Sequence, residues 1–336
     1  MAKHRSDHSK REKTWDYILR SGLAGGVAGC AAKTAIAPLD RVKILFQASN
    51  PEYQKYSGKW LGVVHAGRKI VNQQGVMGLF HGHSATLLRI FPYAAVKYMA
   101  YDILHTALMP TPKDESSLRL FMAGSLSGVL SVFLTYPLEL VRVRLAFDTK
   151  TKPQPGSLRK IITKIYHEGT PPPSSSIDLP RSLLNRYPIF KFYRGFSATV
   201  MGMIPYAGTS FLVFGRTKAL MYRLLLNKDT HGSPLSEAPP RTHTSRTVVD
   251  LSSGALAGAI SQTASYPFEV IRRRQQVGGL LNPERMLRLT ETITKIYQTN
   301  GLAGFYVGIG IGYLKVVPMT AISFAVWSAM KRQLGL

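Results

Sequence analysis

The chain has 336 residues, of which 45% are hydrophobic and only 18% are charged, yet its formal net charge is +25 at pH 7. So few charged residues exclude a solvated basic tail protein. No zinc spacing, RNA-binding motif or heptad-linked basic helix points to nucleic acid as a partner. The single cysteine, Cys30, excludes a disulfide framework and a thiolate metal site. We expect no metal, no cofactor and no enzyme, since no catalytic or nucleotide-loop motif is present.

The first segment, residues 1–14, is basic and lacks the apolar core of a secretory signal. Asp7 and Glu12 argue against a cleaved transit peptide. We predict a flexible basic N-terminal tail over residues 1–14.

Three stretches along the chain share one pattern: "AIAPLDRVKIL", "LTYPLELVRVRL" and "ASYPFEVIRRRQ". In each, an acid follows the proline by two residues and a base follows it by five. A glycine and a second proline, ten residues apart, come after each stretch, at 82 and 92, 195 and 205, and 308 and 318. The chain is therefore a threefold repeat, with predicted boundaries at 15–110, 111–230 and 231–336.

The second repeat is longer than the others because it contains the Pro- and Ser-rich stretch "EGTPPPSSSIDLPRSLLNRYPIFKF". This composition predicts a loop insertion at about 169–191.

Six apolar segments predict long helices, two in each repeat. Several exceed the roughly 20 residues that cross a bilayer. Basic linkers with shorter amphipathic helices join the two members of each pair, and the positive-inside rule places these linkers on one side of a membrane. The predicted segments are 15–46, 83–108, 117–147, 196–226, 247–277 and 309–334.

Pro38, Pro137 and Pro267 lie inside three of these predicted helices, where a proline kinks the helix. Three kinked helices would bring three acids and three bases to one level. Ion pairs around this ring could close one end of a pore.

At these positions the sequence resembles the mitochondrial carrier family, whose motif is Pro-x-Asp/Glu-x-x-Lys/Arg-x-Lys/Arg followed by an aromatic-basic-Gly element. The resemblance covers all three repeats. It implies an all-α membrane protein of six transmembrane helices in three pseudo-symmetric repeats, which resides in the mitochondrial inner membrane and exchanges solutes by alternating access.

The resemblance also implies a matrix gate network, in which Asp40 pairs with Arg142, Glu139 with Arg272, and Glu269 with Lys43. Glutamine braces beneath these pairs would be Gln47 and Gln276, whereas Ala146 occupies the third brace position and cannot serve. The sequence departs from the motif at Leu45, which replaces the last base of the first repeat, and at His81 and Val307, which replace the base before the glycine.

Substrate-binding candidates lie on the same helices. Lys33 is a base within an apolar segment, and Arg89, Tyr93 and Lys97 step by four along one face. Bases inside a membrane are expensive unless they face water or an anion. The resemblance places contact points three residues before the second prolines, at Arg89, Gly202 and Lys315.

These bases, Lys33, Arg89, Lys97 and Lys315, predict a cavity that binds a polyanion. Gly202, Met203 and Tyr206 would offer a slot for a flat base, a pattern that resembles carriers of adenine-containing substrates. The stretches around Lys33 and Arg89 are similar to the fungal coenzyme A carrier subgroup, so coenzyme A or a closely related adenine nucleotide is the expected substrate.

Two alternatives remain at this point: a carrier of another phosphorylated anion, such as ADP, ATP or thiamine pyrophosphate, and a non-transporting membrane scaffold. For partners we expect membrane lipids, including cardiolipin, and no nucleic acid, and we expect a monomer.

Overall fold

The computed structural model describes residues 2–59, 61–110, 116–149, 156–168, 188–226, 243–281 and 288–335. All regular structure in these ranges is helical. Within these ranges the ten α-helices are α1 (Ala2–Gln47), α2 (Gly62–Gln74), α3 (His83–Leu108), α4 (Ser117–Phe147), α5 (Ser157–Tyr166), α6 (Phe196–Leu226), α7 (His243–Leu281), α8 (Leu289–Asn300), α9 (Ile309–Leu314) and α10 (Val316–Leu334).

The predicted long segments correspond to α1, α3, α4, α6, α7 and the pair α9 and α10, so the all-α fold is confirmed. The sixth segment is divided at Lys315. Pro318 explains the break, because it has no N–H to donate to the carbonyl of residue 314. The shorter predicted amphipathic helices correspond to α2, α5 and α8.

Residues 2–14, predicted as a flexible tail, belong to α1, which begins at Ala2. No glycine or proline interrupts the chain before Gly22, and lysine, arginine and glutamate favour helix in this stretch.

The predicted loop insertion lies mostly outside the described residues, and its end forms a 3₁₀ helix at Pro188–Tyr193.

The first compact unit consists of Met1–Arg194, Gln276–Met286 and Gly310–Leu336. In it α3 packs along α4, and α1 packs along α10. Its best-defined core joins α3, α4 and α5 through Ala85, Leu140, Val141, Leu145, Ile161 and Ile165.

Gly82, before α3, has a φ of +88° and lies against α4, where an added Cβ would be 2.8 Å from the carbonyl oxygen of Arg142. Only glycine combines this backbone conformation with so close an approach. The start of α3 is thereby held against the charged end of α4.

The second unit consists of Gly195–Gln275 and Leu287–Ile309. Its core joins α6, α7 and α8 through Ala198, Tyr266, Val270, Ile271 and Ile296. Tyr266 donates a hydrogen bond to the carbonyl oxygen of Val307 at 3.0 Å, which ties α7 to the segment before α9.

Four stretches of the described chain are long and apolar enough to cross a membrane: Arg20–Gln47, Leu118–Phe147, Pro188–Met221 and Leu302–Leu334. The long helices α3 and α7 carry more charge, including Arg89 and Lys97 on α3. Large apolar side chains such as Phe91, Phe211 and Phe324 are exposed on helix surfaces. Exposed apolar faces of this kind fit contact with lipid.

Candidate functional site

The carboxylate of Asp40 on α1 binds two cations. Arg142 of α4 donates from Nη2 to Asp40 Oδ2 at 3.0 Å, and Lys315 donates from Nζ to Oδ1 at 2.8 Å. The structure thus brings the predicted pair Asp40 and Arg142 into contact. It adds Lys315, which the sequence indicated only as a substrate contact.

Glu139 of α4 is 1% exposed and forms an ion pair with the guanidinium of Arg89 on α3. Arg89 also donates from Nε to Thr135 Oγ1 at 3.3 Å, and its guanidinium lies 5.3 Å from the ring centroid of Tyr93. A second predicted substrate base is therefore held by a second predicted gate acid.

The remaining predicted gate pairs each combine residues of the two units. Glu139 and Lys43 belong to the first unit, whereas their predicted partners Arg272 and Glu269 belong to the second. These pairings stay predictions. Lys43 is buried on α1, five residues after the kink position Pro38. Pro137 and Pro267 likewise lie inside α4 and α7, and the kinks themselves stay predictions.

The two remaining predicted cavity bases have different surroundings. Lys33 Nζ lies 3.6 Å from the sulfur of Met319 on α10. Lys97 is exposed on α3, two turns beyond Arg89. Lys33, Asp40 and Arg142 line one narrow crevice that is open to solvent. The crevice therefore presents more positive than negative charge.

The brace candidates Gln47 and Gln276 are both fully buried. Gln276 donates from Nε2 to the hydroxyl oxygen of Tyr136 at 3.1 Å, and Tyr136 donates in turn to the carbonyl oxygen of Arg194 at 2.8 Å. In the third brace position, the carbonyl oxygen of Ala146 accepts from Arg41 Nε at 3.1 Å.

A buried charge network in the second repeat was not predicted. Arg144 donates from Nη2 to Glu168 Oε2 at 2.7 Å, and Arg194 Nη1 lies 3.7 Å from the same oxygen. Arg144 also donates from Nε to the carbonyl oxygen of Gln276 at 3.0 Å. The family motif has a base at the end of its first element and another just before the glycine. The second repeat alone retains both, as Arg144 and Arg194. Leu45 and His81 replace them in the first repeat, and Val307 replaces the second of them in the third repeat. That difference was the available signal.

His81 lies next to Arg41, which holds the end of α4 by donating to the carbonyl oxygens of Ala146 and Asp148. Burial lowers the pKa of His81 below its ordinary value, and the positive charge of Arg41 lowers it further. A neutral imidazole therefore occupies the position at which the family motif has a cation.

In the second unit, α6 carries Gly202, Met203 and Tyr206 within five residues of one another. Tyr206 is exposed. An added Cβ at Gly202 would lie 2.9 Å from Cβ of Phe268 on α7. Gly202 therefore permits close packing of α6 on α7, in addition to the predicted role beside a substrate base. The adenine slot stays a prediction.

No group of three or more potential metal-ligating side chains occurs among the described residues. Long apolar helices in three sequence repeats, with paired charges inside them, define a membrane solute carrier. The chain belongs to the mitochondrial carrier family: the family model described as mitochondrial carrier protein matches residues 14–111, 113–224 and 243–336.

The chain is similar to known carriers over nearly its whole length. It is 47% identical to the mitochondrial carrier protein LEU5 of Saccharomyces cerevisiae, over 96% of this chain and 92% of the relative. It is 39% identical to human solute carrier family 25 member 16, over 94% of this chain and 88% of the relative. It is 33% identical to the maize mitochondrial carrier protein CoAc2, over 93% and 86%.

These similarities confirm the predicted family and the similarity to a fungal carrier. The protein is a multi-pass transporter of the mitochondrial inner membrane and not an enzyme.

Proposed function

We propose that this carrier moves coenzyme A, or a closely related adenine nucleotide, across the mitochondrial inner membrane by alternating access. The observation that carries the proposal is the set of bases inside the apolar helices of the first unit. Lys33, Arg89 and Lys315 are each only partly buried, while the acids nearest them, Asp40 and Glu139, are buried.

Partly exposed bases inside a membrane protein suit an anionic ligand, because a charge there is costly unless it faces water or an anion. Arg89 offers a planar guanidinium, the group that binds phosphate in a bidentate manner. Coenzyme A presents a pyrophosphate and a 3′-phosphate, which together match several bases. ADP, ATP and thiamine pyrophosphate present fewer or differently spaced phosphates and are the competing candidates.

The adenine part of the proposal depends on α6. Met203 and the exposed Tyr206 provide side chains on which a flat base can stack. Gly202 is a poor site for a test because any side chain there would meet Phe268. Tyr206→Ala removes the stacking surface at an exposed position of α6.

The test is competition for uptake of radiolabelled coenzyme A into proteoliposomes. We expect coenzyme A to compete best, followed by dephospho-coenzyme A and ADP, with pantetheine phosphate weakest. Tyr206→Ala should weaken competition by the three adenine compounds and leave pantetheine phosphate unchanged. Equal competition by all four compounds in the wild type would contradict an adenine site.

The binding of cardiolipin as a lipid partner and the monomeric state stay predictions.

A further inference from the structure

We propose that Arg41 is a positioning residue of transport, which takes the place of the motif base that is missing at Leu45. Arg41 joins α1 of the first repeat to the end of α4 in the second, at the brace position that Ala146 leaves without a polar side chain. This inference deepens the proposed function and depends on alternating access, although not on which anion is carried.

The guanidinium of Arg41 is bonded to the end of α4 by two hydrogen bonds. Arg41 is only 2% exposed, and it donates from Nε to the carbonyl oxygen of Ala146 at 3.1 Å and from Nη2 to that of Asp148 at 2.8 Å. The last carbonyl groups of a helix have no partner within the helix, and a cation there also meets the negative end of the helix dipole. Arg41 therefore supplies what the end of α4 lacks.

Other side chains of the first repeat complete this contact. Asn50 donates from Nδ2 to the carbonyl oxygen of Phe147 at 3.3 Å, and Gln74 donates from Nε2 to that of Thr149 at 2.7 Å. Together with the bonds from Arg41, four consecutive carbonyl groups, 146–149, accept from the first repeat. The end of α4 must therefore move together with the first repeat for as long as these bonds hold.

The repeat shows that Arg41 is a displaced motif base. Arg144 and Arg274 each lie seven residues after the first proline of their repeats, where the first repeat has Leu45. Arg41 lies three residues after its proline, where the other two repeats have an apolar residue. Positions 41 and 45 are one helical turn apart and lie on the same face of α1. Each repeat thus carries one arginine on this face.

The acceptors of the two arginines are equivalent as well. Arg144 donates from Nε to the carbonyl oxygen of Gln276 at 3.0 Å, just as Arg41 donates from Nε to that of Ala146. Gln276 and Ala146 both lie nine residues after the first proline of their repeats, at the brace position. The same donor atom therefore reaches the same position of the following repeat, from one turn earlier on the helix.

A second difference between the repeats explains the displacement. Arg144 also donates to the carboxylate of Glu168, which precedes a glycine in the sequence, and the first repeat has Gln74 before the corresponding glycine. A base at position 45 would meet an amide where Arg144 meets a carboxylate. Arg41 bonds instead to a second carbonyl group, that of Asp148.

Arg41 lies where it can support the ion pair between α1 and α4. It follows Asp40, whose Oδ2 accepts from Arg142 at 3.0 Å, and Ala146 lies one turn beyond Arg142 on α4. The bonds of Arg41 therefore extend the contact between α1 and α4 by one turn. Their loss should lower the population of the state in which the two helices are joined and the crevice beside them is open to solvent.

The experiment compares Arg41→Leu with a variant in which the base is moved, Arg41→Leu combined with Leu45→Arg. We expect Arg41→Leu to raise the KM for coenzyme A exchange in proteoliposomes about tenfold, because a smaller fraction of carriers is in the joined state. The maximum rate should change less than the KM. Moving the base should restore the KM, because Arg144 shows that an arginine at the equivalent position reaches the brace carbonyl.

Two controls separate hydrogen bonding from packing and from loss of charge. Arg41→Leu combined with Leu45→Met offers a long side chain without a donor, so the KM should stay high. Arg119→Leu removes an exposed arginine that likewise donates to a helix-terminal carbonyl, that of Leu108 at 3.4 Å, and should leave exchange unchanged. Thermal unfolding of the purified carrier without substrate should show the same order, with a lower unfolding temperature for Arg41→Leu and recovery when the base is moved.

A wild-type KM in Arg41→Leu, or a fall in maximum rate alone, would overturn the inference. Equal recovery with Leu45→Met and Leu45→Arg would overturn it too, because packing would then explain the effect. If Arg41→Leu does not fold, Arg41→Lys replaces it: the lysine can satisfy one carbonyl at a time, and an unchanged KM would overturn the inference. Absence of coenzyme A uptake by the wild type, with recovery of the unfolding temperature when the base is moved, would refute the proposed substrate and support the role of Arg41.

Discussion

Reversing the charges of Asp40 and Arg142 is the sharpest test of the pairing between α1 and α4. Asp40 accepts one charge-assisted hydrogen bond from Arg142 and one from Lys315. Bonds to charged groups contribute about 1.5–3 kcal/mol each, so Asp40→Lys removes about 3–6 kcal/mol of attraction. It also places a third cation beside the other two. We expect exchange to fall by at least a hundredfold, since each 1.4 kcal/mol corresponds to a factor of ten.

Adding Arg142→Asp restores one of the two contacts with reversed sign. We therefore expect the double variant to recover about half of the lost free energy, and not all of it, because Lys315 still faces a lysine. The assay is homo-exchange in proteoliposomes with matched amounts of inserted protein, analysed as a double-mutant cycle.

Combining Asp40→Lys with Arg119→Asp is the matched control for this cycle. Arg119 lies on the same helix as Arg142 but is exposed and donates to the carbonyl oxygen of Leu108, so its reversal should not rescue exchange. A double variant at 40 and 142 that is no better than the worse single variant would refute the pairing.

Three further predictions concern stability and topology. Glu168→Gln should lower the free energy of unfolding by about 3–5 kcal/mol, since it leaves buried arginines without their acid, and thermal unfolding in detergent measures this. The control is Glu291→Gln, which changes a half-buried capping acid outside this network and should leave stability unchanged. The unfolding free energy should fall as the pH drops below about 6.5, because His81 stays neutral in the fold while the unfolded chain gains a proton. His81→Gln should remove part of this fall, whereas His65→Gln, at an exposed position, should not. An identical pH profile in the two variants would contradict the explanation. Trypsin should cut α5 only after the inner membrane of mitoplasts is ruptured, and cleavage in intact mitoplasts would show that the predicted topology is wrong.

Periodic sequence features predicted the helices well. Repeated prolines and apolar segments gave six long helices within a few residues, apart from the start of α1. That helix extends to Ala2 because no residue of the charged segment breaks it. The division at Lys315 depends on one hydrogen bond near Pro318, which a hydropathy pattern does not register.

The site was predicted less completely than the helices. The motif predicted functional roles for Asp40, Arg142, Arg89 and Lys315, but it assigned the last two to the substrate only. Which base reaches which acid depends on side-chain length and on the packing of α10 on α1 and α3 on α4. Sequence spacing predicts that several bases lie at one level of the helices. It does not predict which acid each base contacts.

The Glu168 network shows the same limit. Its members come from α4, the end of α5 and the segment before α6, and Arg144 also reaches the backbone of Gln276. These contacts join residues far apart in the sequence. The repeat could have indicated them through the bases that only the second repeat keeps at both motif positions.

The central claim is that the bases in the cavity bind the phosphates of coenzyme A during transport. The most direct measurement is uptake of radiolabelled coenzyme A into proteoliposomes preloaded with unlabelled coenzyme A, by the wild type and by Arg89→Gln. We predict saturable uptake by the wild type and at least tenfold weaker uptake by the variant, with equal insertion. Absence of coenzyme A uptake by the folded wild type, or equal uptake by the variant, would contradict the account.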